Sequence, residues 1–397
     1  MTSDPSADLA PLQRRRTLSG VIVAMAAMAM MYGFTGPLFS IVLEERGVSG
    51  SLIGFNGASQ MAGVFLALPL LPYFIRRFGP ARVMISGALV LAAALALMMT
   101  FIDVWLWFPL RFAIGAAQSA MWTTGETWIN HATDDRGRSR TVSIFMSVVA
   151  VGYATGPFVL AEVGAQSQLP FVLALCISPM IMLPLLLGWK DRISSNDGPS
   201  ARLPAYIRLA PVPMISNLVF GMAGATLIAL LAVYGLRMGM EEGAATRMIG
   251  WMGWGGVVAP LAIGFLANRL NRTLFLAGVI AASGLAMLAL PLAVTWSGTV
   301  IAIYLMIFGG IRTGQWGLAM MLVGDRFRGA DLPSATTVFG FMFGIGSIMG
   351  PALSGLAMDA WDPHGLVAAF VIFHLLTVPI PLIDWWRSRR ANLQTNR

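Results

Sequence analysis

Gly152-Tyr153-Ala154-Thr155-Gly156-Pro157 and Gly346-Ser347-Ile348-Met349-Gly350-Pro351 are one GxxxGP pattern written twice in the same chain. Each copy lies inside a long apolar run, where glycines permit close helix contact and the proline bends the helix. Other pairs recur at nearly the same spacing: Gly125-Glu126 returns as Gly324-Asp325, and Arg77, in a short basic loop, returns as Arg269. Each match falls at the same helix end or loop of its half, so the chain reads as two related halves.

Composition says what the halves are made of. Of 397 residues, 57% are hydrophobic and 11% charged, with a mean hydropathy of +0.75; an ordinary soluble protein carries roughly a quarter charged residues. The 43 Gly and 22 Pro are too many for a soluble helical protein, but both residues are frequent in transmembrane helices. The expected fold class is therefore an all-α polytopic membrane protein. Cys176 is the one cysteine, which excludes a disulfide framework and a cysteine-based metal site within the chain. Neither a GxxxxGK[ST] phosphate loop nor an HExxH motif occurs, so neither an enzyme, nor a cofactor or metal, nor ATP-driven transport by this chain alone is expected.

A bilayer core of about 30 Å takes roughly 20 apolar residues per helix. Twelve such runs can be marked, at about 18–42, 51–75, 81–102, 104–129, 139–163, 169–189, 211–236, 246–267, 273–295, 298–323, 334–357 and 365–386. The first is longer than the apolar core of a signal peptide and reads as a retained helix. The net charge of +8 would suggest nucleic acid in a soluble protein; here its distribution matters more. Most of the 26 Lys and Arg fall on alternate loops: Arg14 to Arg16, then Arg76, Arg77 and Arg82, then Arg136, Arg138 and Arg140, then Lys190 to Arg208, then Arg269 and Arg272, then Arg326 and Arg328, then Arg387 to Arg397. The opposite loops carry Glu44, Glu45, Asp103, Glu162, Glu241, Glu242, Asp359 and Asp362 with few arginines. The positive-inside rule then places both termini in the cytoplasm. The expected organisation is a cytoplasmic tail 1–17, a six-helix bundle 18–189, a polar cytoplasmic linker 190–210, a second six-helix bundle 211–386 and a cytoplasmic tail 387–397.

These features resemble the major facilitator superfamily across essentially the whole chain. Its loop motif between helices 2 and 3, Gly-x-Leu-Ala-Asp-Arg-x-Gly-Arg-Lys, is met here by Pro72-Tyr73-Phe74-Ile75-Arg76-Arg77-Phe78-Gly79-Pro80-Ala81-Arg82, with Arg76 at the acidic position. The second-half version runs from Gly264 to Arg272 with Asn268 at that position. Neither copy carries the acid of the usual charge relay, and the fold expectation does not depend on it. Gly125-Glu126-Thr127-Trp128-Ile129-Asn130, followed by Asp135-Arg136-Gly137-Arg138, looks like the YcaD-like branch. The resemblance implies two pseudo-symmetric six-helix bundles with a substrate site near the midplane.

Ionisable residues inside such helices are expensive and mark function by default. Arg111, in Arg111-Phe112-Ala113-Ile114-Gly115, resembles the Arg-x-x-x-Gly motif of proton-coupled facilitators; the plainer reading is an arginine that snorkels or braces its helix. Arg312, some fourteen residues into its run, is a candidate substrate or anion contact, against a structural salt bridge. It lies two positions out of register with Arg111 in the repeat. Gln315 and Trp316 are expected to line the same cavity as Arg312, with Asn56, Gln60, Gln118 and Asn217 as neutral cavity groups and Tyr32, Trp122, Trp251 and Trp254 as aromatic walls. His374, mid-helix, suits a proton switch by its near-neutral intrinsic pKa, although a lone helix histidine is more often a packing residue. The 26 Met offer an adaptable pocket or simply a lipid-facing surface. At the cytoplasmic helix ends, Glu126 is expected to pair with Arg76, Arg77 or Arg82, and Asp325 with Arg269 or Arg272, latching an inner gate. The alternative for each is a solvated interfacial acid worth under about 1 kcal/mol. Gly152, Gly156, Pro157, Gly346, Gly350 and Pro351 are expected to pack helices, and resemble the antiporter motif of drug exporters.

The function expected from this set is a secondary transporter of the bacterial inner membrane, monomeric, proton-coupled or linked to another ion. Its small-molecule substrate would be an exported amphipathic or drug-like compound. An uptake carrier for a small organic anion is the alternative within that class. A non-transporting membrane sensor or assembly protein is the alternative outside it, and a lipid flippase shares the fold.

Overall fold

A computed structural model describes residues 11–101, 103–133, 138–186, 203–329 and 331–395. Residues 1–10 of the expected tail 1–17, the loop residues Asp135 to Gly137 and most of the linker, with Lys190, Arg192 and Arg202, lie outside the described residues.

Within the described residues the chain is helical throughout: α1 Pro11–Glu45, α2 Gly50–Ala67, α3 Leu71–Phe78, α4 Pro80–Thr100, α5 Val104–Ala132, α6 Arg138–Val163, α7 Leu169–Leu185, α8 Leu203–Leu209, α9 Pro211–Arg237, α10 Glu242–Ala267, α11 Arg272–Leu288, α12 Leu290–Ala293, α13 Gly298–Arg326, α14 Asp331–Ala360, α15 Gly365–Thr377 and α16 Pro379–Thr395. Every one of the twelve expected runs carries helix. Seven of the described helical stretches are long and apolar enough to cross a membrane by length and composition alone.

Prolines explain where runs break. The second run is interrupted by a short 3-10 turn at Leu68–Leu70, with Pro69 inside it and Pro72 just beyond. The ninth run divides before Pro291, and the twelfth before Pro379. Each proline lacks the N–H that would continue the ladder. The ends also differ from the apolar limits. α1 begins at Pro11 and α16 continues to Thr395, because Gln, Arg and Leu prolong a helix beyond its apolar stretch. The linker holds the short helix α8 at its end.

By backbone contacts the chain divides into two units, 1–42 with 59–197, and 43–58 with 198–397. In the first unit α1 packs on α6: a Cβ at Gly33 would meet the Tyr153 carbonyl, and one at Gly152 the Ala26 carbonyl at 2.7 Å. α2 packs on α5 in the same way, with Gly63 against the Phe112 carbonyl and Gly115 against that of Gln60. The second unit repeats the scheme. α9 meets α14 through Gly221, Gly346 and Gly350, and α10 meets α13 through Gly255 and Gly309. Both GxxxGP copies thus lie on the helix that packs against the first long helix of its unit. The backbone turns repeat as well: Gly47 after α1 (φ 70°) and Gly239 after α9 (φ 83°) both adopt a left-handed conformation that favours glycine.

Segment 43–58 is integral to the second unit, which the linear order of the chain does not suggest. Arg237 Nε and Nη2 donate to the two carboxylate oxygens of Glu44, each at 2.8 Å, while its Nη1 donates to Asp362 at 2.7 Å. The Asp359 carboxylate accepts from the backbone N–H groups of Gly50 (2.7 Å) and Ser51 (2.9 Å), the first residues of α2. It serves two donors that the helix itself leaves open. Gly54 then rests against the carbonyl of Pro351, inside α14.

Candidate functional site

In the first unit the chemistry gathers on α5 and α1. Arg111, Gly115 and Gln118 share one face of α5, being four and seven residues apart. Gly115 brings α2 close enough for Gln60 to donate to Gln118 at 2.7 Å. Arg111 lies roughly 10 Å below the start of α5 and is only 4% exposed. Its guanidinium sits over the Phe39 ring, 4.6 Å from the centroid. Its Nε and Nη1 have no hydrogen-bond partner. Tyr32, half-buried on α1, is an electrostatic neighbour of Arg111 and lies 5.8 Å from the ring of Tyr153 on α6.

Magnitudes show that this arginine is incompletely compensated. An arginine deep in a helix costs about 2.5–3.5 kcal/mol even on lenient insertion scales. A desolvated cation–π contact returns about 2 kcal/mol. Arginine also retains its proton where lysine or histidine would shed it. The site therefore carries a positive charge and open donors, surrounded by aromatic groups.

In the second unit Arg312 crosses α9 between Phe220, 4.8 Å from the ring centroid, and Gly224, whose missing side chain leaves room for Nη1. Each unit thus sets an arginine from within a long helix over a phenylalanine of its first long helix. Gln315 and Asn217 are fully buried and pin helices together. Gln315 Nε2 donates to the Ser216 carbonyl at 3.0 Å, and Asn217 Nδ2 to the Phe339 carbonyl at 2.7 Å. Gln315 and Trp316 do not share a wall: successive helix residues point about 100° apart, and Trp316 is 45% exposed while Gln315 is buried. Trp122, Trp251 and Trp254 are half-buried, and Asn56 is buried with its Nδ2 unpartnered.

His374 is fully buried in α15. Gly284 abuts its Cβ, its ring stacks on Phe370 with centroids 4.2 Å apart, and Nδ1 donates to the Phe370 carbonyl at 2.9 Å. Its Nε2 is buried without a hydrogen-bond partner.

At the helix ends expected to face the cytoplasm, Arg272 Nη1 holds both oxygens of Asp325, at 2.6 and 2.8 Å. Arg269 instead lies over the Phe265 ring, 4.2 Å from its centroid. Glu126 is half-buried and hydrogen-bonds the Trp122 side chain one turn back. Arg76, Arg77 and Arg82 are exposed around the turn at Gly79, with Arg77 over Phe78. The cluster of Arg237, Glu44, Asp359 and Asp362 was not singled out from sequence. The acidic loops signalled its charge, but its partners come from segments nearly 200 and more than 300 residues apart.

Comparison with known proteins gives a consistent family. The Major Facilitator Superfamily model matches residues 21–320. The uncharacterised MFS-type transporter YfkF of Bacillus subtilis (strain 168) is 23% identical over 369 residues, covering 91% of this chain and 94% of that one. The uncharacterised MFS-type transporter YcaD of Shigella flexneri and of Escherichia coli O139:H28 is 22% identical over 367 residues, covering 90% and 93%. Among solved structures, the nucleoside transporter NupG superposes with a TM-score of 0.75 at 15% identity, over 94% of this chain and 98% of that one. A point mutant of the same transporter gives 0.77 at 16% identity. At such identity the structural likeness speaks for the fold. The matched family model, the full-length relatives and the doubled helical architecture agree: the chain is a multi-pass membrane transporter that belongs to the major facilitator superfamily.

Proposed function

We propose that this transporter is secondary active, moving a small amphipathic organic solute by alternating access, coupled to protons and directed outward across the bacterial inner membrane, with both termini cytoplasmic. The observation that carries the reading is Arg111, a charge held 4% exposed among aromatic side chains of apolar helices with donors left open. A charge maintained at that expense within a transporter fold is a functional group by default. The loop charge bias supports the orientation, and the absence of a nucleotide-binding motif supports an ion or solute gradient as the energy source.

The test is purified protein in proteoliposomes with an imposed pH gradient and a trapped pH dye. Addition of amphipathic solutes is expected to dissipate the gradient in the presence of wild-type protein and not in empty vesicles. Solute flux that ignores the gradient would remove proton coupling; absence of flux for every solute would remove the transport reading of the site. A second reading, uptake of a small organic anion, is favoured by the same open guanidinium. Reversing the gradient across the vesicle separates the two directions.

A further inference from the structure

We infer that the Arg111 cluster is a binding site for a single carboxylate group on a solute with an apolar or aromatic body. This rests on the transport reading and names the substrate class of that site. The polar atoms left open on Arg111, Nε and Nη1, are donors. Donors on a guanidinium call for an anionic oxygen, and the planar fork of arginine matches a carboxylate. Phe39 beneath the guanidinium, with Tyr32 beside it and Tyr153 against Tyr32, supplies apolar faces suited to a ring or chain but no acceptor strong enough to replace a counter-charge.

Charge arithmetic limits the ligand to one negative charge. Arg111 is the cation of the cluster, and Phe39 and Tyr32 beside it, with Tyr153 against Tyr32, are neutral. A monoanion brings the buried charge to zero, whereas a dianion leaves one negative charge buried without a partner, the costlier arrangement. Glu126, the acid of the same helix, lies roughly 22 Å along the axis and does not compete for the guanidinium.

The experiment measures binding and flux separately. Detergent-purified full-length protein is titrated with benzoate, phenylacetate and octanoate in low-chloride buffer, and with benzamide, benzylamine, phthalate and chloride as controls; thermal stabilisation reports binding. The monocarboxylates are expected to stabilise the protein at millimolar concentration and the controls not to. Arg111→Gln is expected to weaken benzoate binding by about 10-fold or more, the loss of a charged hydrogen bond, and Arg111→Lys by less. Equal binding of benzamide, stronger binding of phthalate, saturation by chloride, or benzoate binding unchanged in Arg111→Gln would each overturn the assignment. If Arg111→Gln does not fold, the comparison of benzoate with benzamide on the wild type decides alone. Benzoate-loaded proteoliposomes at pH 8 form the second arm. Binding without carrier-mediated flux supports the site and removes the transport reading, whereas flux of other solutes without benzoate recognition removes this inference only.

Discussion

Replacing Glu44 by Gln should harm the protein more than replacing Asp362 by Asn, although both acids bind the same arginine at nearly the same distance. Arg237 meets Glu44 through a two-pronged fork at 2.8 Å, with side-chain exposures of 16% and 18%. It meets Asp362 through one bond at 2.7 Å, with Asp362 57% exposed. A charged hydrogen bond shielded from water contributes about 1.5–3 kcal/mol, while an exposed pair contributes under about 1 kcal/mol. Glu44→Gln keeps one acceptor and loses the charge, so a cost of about 2 kcal/mol is expected; Asp362→Asn should cost about 0.5 kcal/mol. Arg237→Gln leaves Glu44 shielded and unpaired, and should cost about 3 kcal/mol. A double-mutant cycle on thermally or denaturant-unfolded protein in detergent isolates the two couplings. Raising salt should erode the Asp362 coupling first, since exposed charges are screened most. An Asp362 coupling equal to or larger than that of Glu44, or a Glu44→Gln variant as stable as wild type, would refute the argument from burial.

Three further outcomes follow from the packing. Gly346→Ala drives a Cβ into the Leu218 carbonyl and should cost about 1–3 kcal/mol in melting experiments, whereas Gly340→Ala, on the same helix in open space, should be neutral or stabilising by up to about 1 kcal/mol. Asp359→Ala removes both acceptors at the start of α2 and should cost about 1–2 kcal/mol, with faster hydrogen exchange at Gly50 and Ser51. Arg272→Gln breaks a pair that is 34% and 49% exposed, so melting should move by less than about 1 kcal/mol; if the pair gates, the transport rate changes while stability does not.

The helical runs, their repeat and the glycine motifs were legible because they rest on local composition and on matches within the chain. Helix ends were less so: apolarity does not reveal that α16 continues past Trp386, where Arg389 and Arg390 lie over Trp385 and Trp386. Arg111 was legible as an anomaly of charge in an apolar run, but its bare donors and its seat over Phe39 required coordinates. Gln315 and Asn217 were legible as polar groups in apolar runs, but not the helix that each one meets. A polar side chain in an apolar helix suggests a wet cavity, yet a carbonyl on a neighbouring helix takes the amide nitrogen of each, while Oε1 of Gln315 and Oδ1 of Asn217 have no partner. Nothing local marks Arg237, Glu44 and Asp359 as partners, since their contacts depend on how distant segments return to one another.

The placement of segment 43–58 in the second unit bears on how the chain is made. The first turn of α2 leaves the ribosome 309 residues ahead of the aspartate that completes it. At about 5–20 residues per second, the delay is roughly 15–60 s. Through that interval α1 and α2 are already synthesised; Glu44 meets Arg237 after 193 residues, while the amides of Gly50 and Ser51 still await Asp359. Biogenesis of this transporter thus has a late joining step at Asp359, and a chain terminated after α13 would make the Glu44–Arg237 pair but never cap α2.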